Sequence, residues 1–274
     1  MLDSGHSVKA ALAQRDPQVI ASLMPKWEWF YNHYFQASTD GWHHVPKQAL
    51  FVGSHNGGLA APDLLMLMVD WFRRFGYHRP MYGLMHPKVW QVNPGLAQLA
   101  ARCGAVPAQP KFAIAALQRG ASVLVFPGGA QDVFRPYTQR HQIQLMQRTG
   151  FIKLALREQV PIVPVVSWGA HSTFIVVDNC YKQAQLRNQK GILPCVGGID
   201  PEVFPIYLGL PWGLAIGPLP HIPWPHPIYT RVCAPITFER TGRSAARDLT
   251  YVQRCYKQVT EQMQTALNQL IASI

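Results

Sequence analysis

The sequence predicts an α/β fold in a single domain, with a mixed, mostly parallel β-sheet flanked by helices. Between residues 50 and 168, short apolar runs typical of buried strands alternate with longer helical patterns, and this alternation favours parallel strands joined by helices. The chain has 274 residues, of which 48% are hydrophobic, so it can bury a substantial core. Because no stretch marks a boundary that forces two domains, a single domain is expected.

Composition limits the classes of partner. Lys and Arg number 25 against 14 Asp and Glu, so the surface favours an anionic partner such as nucleic acid, an anionic bilayer or a phosphorylated cofactor. Only 14% of residues are charged, whereas there are 8 tryptophans and 23 prolines, a balance more typical of a protein that meets lipid. Sequence motifs for nucleic-acid binding are also missing. We therefore expect peripheral membrane contact and no nucleic acid.

Cysteine usage and the N-terminal sequence indicate the compartment. The cysteines are scattered and odd in number, which fits no closed disulfide framework and indicates a reducing environment. They are Cys103, Cys180, Cys195, Cys233 and Cys255. The N-terminus lacks the apolar core of a signal peptide, and no uncharged apolar run has the length of a membrane span. These features predict a peripheral protein on the cytoplasmic face of a membrane.

Residues 1–44 are expected to form an N-terminal helical segment that contacts a membrane. Within it, residues 27–35 place six aromatic side chains in nine positions. Aromatic side chains spread around a helix cannot all face one core, so we expect some of them at a bilayer interface. The alternative is a helix buried on two sides.

The most informative stretch lies between residues 50 and 63. An apolar strand ends just before His55, two glycines follow, and Asp63 stands at the start of a helix predicted over residues 64–75. An imidazole beside glycines, with a carboxylate at the next helix start, fits a general base and the group that orients it. The alternative is a histidine in a turn and an aspartate that only caps the helix.

Proline and glycine mark the ends of most later elements, because proline favours the first turn of a helix and glycine ends it. The predicted strands cover residues 80–84, 121–126, 160–168 and 229–238, and the predicted helices cover residues 94–103, 111–119 and 150–158.

Residues 241–274 are predicted to form a C-terminal helix packed on the domain. Its apolar side chains recur three and four residues apart, so they form one stripe that docks on the body. The stripe consists of Leu249, Val252, Tyr256, Val259, Met263, Ala266 and Leu270.

Residues 203–228 interrupt the alternation of strands and helices. Their prolines and glycines exclude a regular helix, yet the segment is almost wholly apolar. We expect a loop that is either tucked against the core or laid into lipid, the second of which would explain an exposed Trp212 and Trp224.

Three stretches, in order and spacing, resemble the blocks of the lysophospholipid and glycerolipid acyltransferase superfamily. They are the loop around His55, the sequence Phe-Pro-Gly-Gly at residues 126–129, and Val-Pro-Ile-Val-Pro-Val at residues 160–165. The glycine pair is similar to the branch of diacylglycerol acyltransferases and phytyl ester synthases. The usual Pro-Gly-Gly-Ala-Arg-Glu of that branch ends here in Gln131 and Asp132. The resemblance implies a glycerolipid-acyltransferase-like domain over residues 45–240.

The resemblance further implies an enzyme that transfers an acyl group to a lipid hydroxyl. It makes His55 the catalytic base and Asp63 its partner, with seven residues between them where the common superfamily motif has four. No enzyme nucleophile is required, because the acyl-CoA or acyl-carrier protein that serves as co-substrate is already activated, and no metal or further cofactor is expected. The residues expected to bind substrate are Gly57, Gly58, Phe126, Pro127, Gly128, Gly129, Asp132 and Arg135.

A neutral glycerolipid or an alcohol is the predicted acceptor. Superfamily members that take phosphorylated acceptors usually carry an arginine in the block after the histidine and another after the Phe-Pro-Glu-Gly turn. Here residues 104–109 contain no arginine, and Ala130-Gln131 follow the turn. Arg135, Arg140 and Arg148 come later and are candidates for donor phosphates. Acylation of a lysophospholipid such as lysophosphatidate is the alternative.

Two hypotheses from other classes stay open. A metal-dependent hydrolase would draw its ligands from His43, His44, His55, Asp63 and His171, although no familiar two-histidine helix spacing is present. A non-catalytic lipid-binding protein would explain the apolar segments but leaves His55 and its glycines without a purpose.

Overall fold

The computed structural model describes residues 8–179, 203–217 and 219–274, so Cys180 and Cys195 lie outside the described residues. Its main feature is a mostly parallel sheet flanked by helices, beside which a smaller antiparallel sheet is formed. The predicted fold class is therefore confirmed. The predicted division into residues 1–44, 45–240 and 241–274 stays a prediction.

Two helices come before the first strand. They are α1 (Val8–Ala13) and α2 (Pro17–Trp29). Asp16 caps α2, since its side chain accepts hydrogen bonds from backbone N–H groups of the first turn that have no partner within the helix. After α2 the chain continues as a π-helical segment, Phe30–Tyr34.

The aromatic side chains of residues 27–35 are mostly packed inside the protein. Tyr31 and Phe35 are buried, three others are half-buried, and Trp29 is 52% exposed. This distribution agrees with a helix that packs on more than one side. Of these aromatic side chains, Trp29 is exposed enough to make the membrane contact predicted for this segment.

The strands of the described residues form two sheets. They are β1 (Ser38–Asp40), β2 (Leu50–Gly53), β3 (Met81–Met85), β4 (Ala105–Pro107), β5 (Ser122–Val125), β6 (Ile162–Trp168), β7 (Ile175–Asn179), β8 (Pro205–Gly209), β9 (Gly213–Ile216) and β10 (Tyr229–Val232). The central sheet has the order β1-β10-β6-β2-β5-β3-β4, with β6, β2, β5, β3 and β4 parallel to one another. Strand β10 runs antiparallel to β6.

Strand β2 lies in the middle of the central sheet and is buried on both faces. Leu50 and Val52 belong to one hydrophobic cluster, whereas Phe51 belongs to another. Successive side chains of a strand point to opposite faces, so the two clusters cover the two faces of the sheet. Because β2 is buried on both faces, the position of its last residue, Gly53, is fixed, and the histidine loop begins directly after it.

The remaining helices connect and cover the strands. They are α3 (Pro62–Phe75), α4 (Val89–Val92), α5 (Pro94–Arg102), α6 (Pro110–Gln118), α7 (Gly129–Val133), α8 (Gly150–Glu158), α9 (Gly242–Arg247) and α10 (Leu249–Ala272). Among the described residues, none of the helices is long and apolar enough to cross a membrane.

The C-terminal helix predicted over residues 241–274 is divided into α9 and α10, because Asp248 is extended and caps α10. Helix α10 packs on the domain through one stripe, as predicted. The predicted stripe is correct for Val252, Tyr256, Val259, Met263 and Leu270, all of which are buried. It is wrong for Leu249, which is 68% exposed because it is the first residue of the helix and lies beyond the surface that the helix covers.

The apolar segment of residues 203–228 is not the irregular loop that its prolines predict. Within it, β8 and β9 form an antiparallel hairpin, and β7 pairs with the other edge of β8. Pro205 is the first residue of β8 and Pro211 lies in the turn, two places where the missing N–H costs little. Trp212 is 53% exposed as expected, but Trp224 is half-buried, and its backbone N–H donates to Thr173 O at 2.8 Å.

Candidate active site

The histidine loop and the Phe-Pro-Gly-Gly turn meet at one edge of the central sheet. Strands β2 and β5 are parallel neighbours, so the segments that follow them leave the sheet side by side. The imidazole of His55 stacks on Phe126, with ring centroids 4.5 Å apart. Gly53 makes room for this contact, because a Cβ there would come within 2.3 Å of the Phe126 ring.

His55 and Asp63 form the pair that the sequence predicts. Nδ1 of His55 lies 3.3 Å from Oδ2 of Asp63. The seven residues between them fold back tightly, with positive φ at Gly57, Gly58 and Ala61. Asp63 is buried in the first turn of α3 and accepts a 2.8 Å hydrogen bond from the backbone N–H of Asn56. That bond fixes the carboxylate from the loop side.

The surroundings of His55 raise the pKa of its imidazole. Burial by itself lowers this pKa, but the charge of Asp63, its hydrogen bond and the charge of Asp132 together outweigh burial and the opposing charge of Arg135. The side chain of His55 keeps 19% of its surface exposed, whereas that of Asp63 keeps 3%. The imidazole is therefore the part of the pair that another molecule can reach.

A buried ion pair holds the backbone of His55. Asp132, which is fully buried, forms an ion pair with Arg135 at 2.6 Å. Asp132 Oδ2 accepts a 2.5 Å hydrogen bond from the backbone N–H of His55, and Arg135 Nη1 donates to the backbone carbonyl of His55 at 2.8 Å. The peptide groups on both sides of the His55 side chain are thereby tied to the segment that follows β5.

The same ion pair fixes the neighbours of His55. Ser54 Oγ donates to Asp132 at 3.2 Å, and Arg135 Nη2 donates to Asn56 Oδ1. Asn56 Nδ2 donates in turn to Ser167 Oγ at 3.1 Å on β6. The segments that follow β2 and β5 and the end of β6 therefore contribute to one hydrogen-bonded network around the histidine loop.

Asp132 and Arg135, which were predicted to bind substrate, bond to the protein itself in the structure. The guanidinium of Arg135 is buried and donates to acceptors of the protein, so in this conformation it is directed at the loop and away from a substrate phosphate. Burial raises the pKa of Asp132 to about 6, against the opposing effects of Arg135, the His55 N–H and Ser54. A direct contact of either residue with substrate stays a prediction.

In the Phe-Pro-Gly-Gly turn, close packing requires glycine at position 128, and a positive φ favours glycine at position 129. A Cβ at Gly128 would come within 2.3 Å of Asp132 Cβ and 2.4 Å of Gln144 O. Gly129 has a φ of +59°, and a Cβ there would come within 2.6 Å of Nη1 of Arg148. The turn is thus pressed against Asp132 on one side and Arg148 on the other. A role of its backbone N–H groups in stabilising an oxyanion stays a prediction.

The structure brings one further histidine to the loop that the sequence analysis missed. His221 donates through Nε2 to the backbone carbonyl of Gly57 at 3.2 Å. It lies 164 positions away along the chain, in the proline-rich segment, and no local pattern marks it. Asn56 was also missed, although its position beside His55 could have suggested a polar contact.

The histidines proposed for a metal site lie apart. His43 and His44 occupy a short 3₁₀ helix, Trp42–His44, whereas His171 is buried and donates through Nε2 to Arg135 O at 2.8 Å. In the described part of the chain, no group of three or more histidine, cysteine or acidic side chains is placed to hold a metal ion.

Two known protein families match this chain, and both matches include the Phe-Pro-Gly-Gly turn. Residues 37–168, which include the histidine loop and the Phe-Pro-Gly-Gly turn, match the acyltransferase family. Residues 104–267, more than half of the chain, match the diacylglycerol acyltransferase family. The chain belongs to the diacylglycerol acyltransferase family. The resemblance inferred from the sequence motifs is thereby confirmed.

Curated relatives of this diacylglycerol acyltransferase family member are about a quarter identical to it over the part that aligns. Diacylglycerol O-acyltransferase 2 of Bos taurus is 28% identical over 146 residues, which cover 51% of this chain and 37% of that protein. 2-Acylglycerol O-acyltransferase 3 of Homo sapiens is 26% identical over 159 residues, which cover 56% of this chain and 43% of that protein. An uncharacterized Mycobacterium tuberculosis protein is 28% identical over 174 residues, covering 62% and 48%. The aligned part spans less than half the length of each of these relatives.

The fold also matches a solved structure. The 1-acyl-sn-glycerophosphate (LPA) acyltransferase PlsC from Thermotoga maritima superposes with a TM-score of 0.53 at 15% identity, over 99% of this chain and 84% of that one. At this identity the match supports the fold of the family member and says nothing of its acceptor.

Proposed function

We propose that the protein is a membrane-associated O-acyltransferase that moves a fatty acyl group from acyl-CoA or acyl-carrier protein to the hydroxyl of a neutral glycerolipid or alcohol. The observation that carries the proposal is the 3.3 Å contact between His55 Nδ1 and Asp63 Oδ2. It lies at the sheet edge where the turn after β5 also ends. A base held by a carboxylate suits a reaction whose acyl donor is already activated, because such a reaction requires no nucleophile from the enzyme.

His55 is the base in this mechanism. Because Nδ1 faces Asp63, Nε2 takes the proton from the acceptor hydroxyl while the hydroxyl oxygen attacks the thioester carbonyl. The tetrahedral intermediate collapses to the ester and a thiolate, and the thiolate takes the proton from the imidazolium. One ester and one thiol result, and His55 is neutral again. Such assistance typically contributes about 10²–10⁴-fold to the rate.

Asp63 orients this base. Its buried carboxylate accepts the Nδ1–H of His55, which selects the tautomer with a free Nε2 and stabilises the imidazolium that forms during attack. Asp63 is held by the backbone N–H of Asn56 at 2.8 Å and that of Leu64 at 2.8 Å. The carboxylate therefore does not have to reorganise when the imidazole becomes charged.

The contacts of Arg135 support a neutral acceptor. A phosphorylated acceptor needs charge-assisted hydrogen bonds near the base. Arg135 is the arginine nearest to His55 in the network, and it already serves Asp132, Asn56 and the His55 carbonyl. Binding a phosphate would require breaking these buried bonds. A diacylglycerol or a long-chain alcohol makes no such demand.

Arg148 is the better candidate for a donor phosphate. Its guanidinium lies against Gly129 at the turn after β5, and the residue is exposed. If Arg148 contacts the nucleotide part of acyl-CoA, Arg148→Ala should raise the KM for acyl-CoA. It should leave the KM unchanged for an S-acyl-N-acetylcysteamine, which has the same thioester and no phosphate.

The small sheet supports a peripheral position on the cytoplasmic face of a membrane. Its outer side chains are large, apolar and exposed, which is unusual for a surface that meets only water. They are Val177, Leu208, Leu210, Trp212, Leu214 and Ile216, and Leu219 and Ile222 follow. The net charge of +11 adds attraction to an anionic leaflet. An acceptor dissolved in the bilayer would then lie beside the enzyme.

Thiol release tests the proposed function. Purified protein is supplied with one acyl-CoA and, in parallel, diacylglycerol, a long-chain alcohol or lysophosphatidate, and both the free thiol and the lipid product are measured. Wild type and His78→Ala, an exposed histidine outside the network, should release thiol with a neutral acceptor. His55→Ala should lose about 10²–10⁴-fold in kcat while its circular dichroism spectrum is unchanged.

The other outcomes separate the alternatives. Preference for lysophosphatidate would replace the neutral acceptor by a phosphorylated one. Thiol release that needs no alcohol, and that a chelator stops, would favour a metal-dependent hydrolase. Lipid binding without any thiol release would favour a non-catalytic protein.

A further inference from the structure

Residues 219–224, the strap, leave the small sheet and run toward the central sheet. Two hydrogen bonds tie its first part to the hairpin of β8 and β9. Trp212 Nε1 donates to Pro220 O at 2.6 Å, and the backbone N–H of Ile222 donates to Leu210 O at 2.8 Å. The position of the strap therefore depends on the exposed apolar hairpin.

Two further bonds tie the end of the strap to the body of the protein. The backbone N–H of Trp224 donates to Thr173 O at 2.8 Å, and Tyr34 Oη donates to Pro223 O at 2.7 Å. Thr173 is buried, and Tyr34 is the last residue of the π-helical segment Phe30–Tyr34. The strap is thus anchored at both ends, and its first two anchors fix the residue that lies between Pro220 and Ile222.

That residue is His221, and it lies over the turn that joins His55 to Asp63. Its ring stacks on the buried ring of Phe174, with centroids 3.9 Å apart, and its Nε2 donates to Gly57 O at 3.2 Å. A Cβ at Gly58 would come within 2.5 Å of His221 Cε1. The imidazole therefore closes over the two glycines without a gap.

We propose that His221 is a positioning residue for the catalytic pair, which couples the apolar hairpin to the histidine loop through the strap. The inference rests on the proposed role of His55. The Gly57-Gly58 turn sets the distance between Nδ1 of His55 and Oδ2 of Asp63, and glycines do not hold such a turn by themselves. His221 adds a further constraint to the bond between Asn56 N–H and Asp63, by one hydrogen bond to the turn and by filling space over it.

The chemistry of His221 suits a structural donor better than a second base. Burial lowers the pKa of His221 against the opposing effect of neighbouring backbone groups, which favours the neutral ring, and the carbonyl of Gly57 requires the tautomer with hydrogen on Nε2. Nδ1 is buried and has no hydrogen-bond partner in the described part of the chain. Both ring nitrogens are turned to the protein, and neither is presented to a substrate.

A loosened turn has a measurable consequence at His55. The charged groups that face His55 are Asp63, Asp132 and Arg135, and Asp63 makes the largest contribution that raises the imidazole pKa. If Asp63 moves away, the lowering effect of burial remains and the pKa of His55 falls. Loss of His221 should therefore lower the pKa of His55, whereas a general loss of stability would leave that pKa unchanged in the folded protein.

The test compares His221→Leu, which keeps bulk but loses the donor, with His221→Gln, whose amide nitrogen can replace Nε2. The pKa of His55 is measured by NMR on histidine-labelled protein without substrate, and kcat is measured with detergent-dispersed acceptor, so that membrane binding plays no part. His221→Leu should lower both the pKa of His55 and kcat, the latter by about tenfold to a hundredfold, with little change in KM. His221→Gln should restore most of each.

Trp212→Phe provides a second, milder variant, because it keeps an apolar ring and removes only the Nε1–H that holds the strap. It should move both quantities in the same direction by a smaller amount. An unchanged pKa of His55 and an unchanged kcat in His221→Leu would overturn the inference. If wild type releases no thiol, the proposed function fails, yet the NMR titration still decides whether His221 positions His55.

Discussion

The backbone N–H of His55 donates a 2.5 Å hydrogen bond to Oδ2 of Asp132, which is fully buried. The bond joins the end of β2 to the segment after β5 and fixes the base through its main chain, while Asp63 fixes it through its side chain. Asp132 therefore holds the main chain of His55, and Asp63 holds its imidazole. Each task can be tested by its own substitution.

Asp132→Asn should destabilise the fold strongly. The amide keeps the shape of the side chain but removes the charge that compensates Arg135, and an uncompensated buried charge costs about 3–5 kcal/mol. The free energy of unfolding in urea measures this loss. Asp40→Asn is the matched control, because the ion pair of Asp40 with Arg231 is exposed and contributes about 0–1 kcal/mol. Equal losses in the two variants would show that the Asp132 pair is no more important than a surface pair.

The pH dependence of turnover should report the raised pKa of His55. The base must be neutral to accept a proton, so kcat/KM should be low in acid and rise with pH through a midpoint above the ordinary value of about 6.5. In Asp63→Asn the groups that raise this pKa are weakened while burial still lowers it, so the midpoint should move to lower pH. The plateau should fall less than in His55→Ala. A midpoint that moves up, or stays in place, would contradict the role given to Asp63.

Gly58→Ala should impair catalysis more than the strain of its backbone explains. Gly58 and Gly120 both have positive φ, at +65° and +78°, so alanine at either position costs about 1–2 kcal/mol. Only at Gly58 does the new Cβ meet a neighbour, the ring of His221 at 2.5 Å, whereas nothing lies within 4 Å at Gly120. In thermal unfolding, Gly58→Ala should lose as much stability as Gly120→Ala or moderately more. In turnover, kcat should fall in Gly58→Ala and stay unchanged in Gly120→Ala. Equal kcat values in the two variants would mean that the crowding is absorbed without moving the catalytic pair.

The exposed hairpin should be required for membrane binding. Replacing Trp212, Leu214 and Ile216 by serine removes three exposed apolar side chains, each of which contributes about 1.5–3 kcal/mol when it leaves water completely. Flotation with vesicles that contain anionic lipid should recover wild type and lose the triple variant. Leu249→Ser, on the C-terminal helix and 68% exposed, is the control and should float like wild type. Flotation of the triple variant at the wild-type level would assign membrane contact to another surface, such as that around Trp29.

Local sequence patterns determined the parts of this protein whose partners are close along the chain. Strand β2, the histidine loop and α3 follow from one apolar run, two glycines and a Pro-Asp pair. The contact of His55 with Asp63 spans only eight positions, so glycine conformations in one short loop are enough to form it. The mostly parallel direction of the strands could also be predicted from the sequence, because alternating strands and helices leave few other arrangements.

Only the tertiary structure decided which distant residues hold that loop. Asp132 and His221 reach it from 77 and 164 positions away, and neither lies in a pattern of spacing that points to His55. The hairpin of β8 and β9 likewise depends on a partner strand that is distant in sequence. Because β7 pairs with β8, these residues form strands although their prolines and glycines favour a loop. Periodicity and turn residues describe interactions within a few positions of the chain. Which strand ends become neighbours, and hence which side chains share a buried network, is decided by how the complete sheet packs.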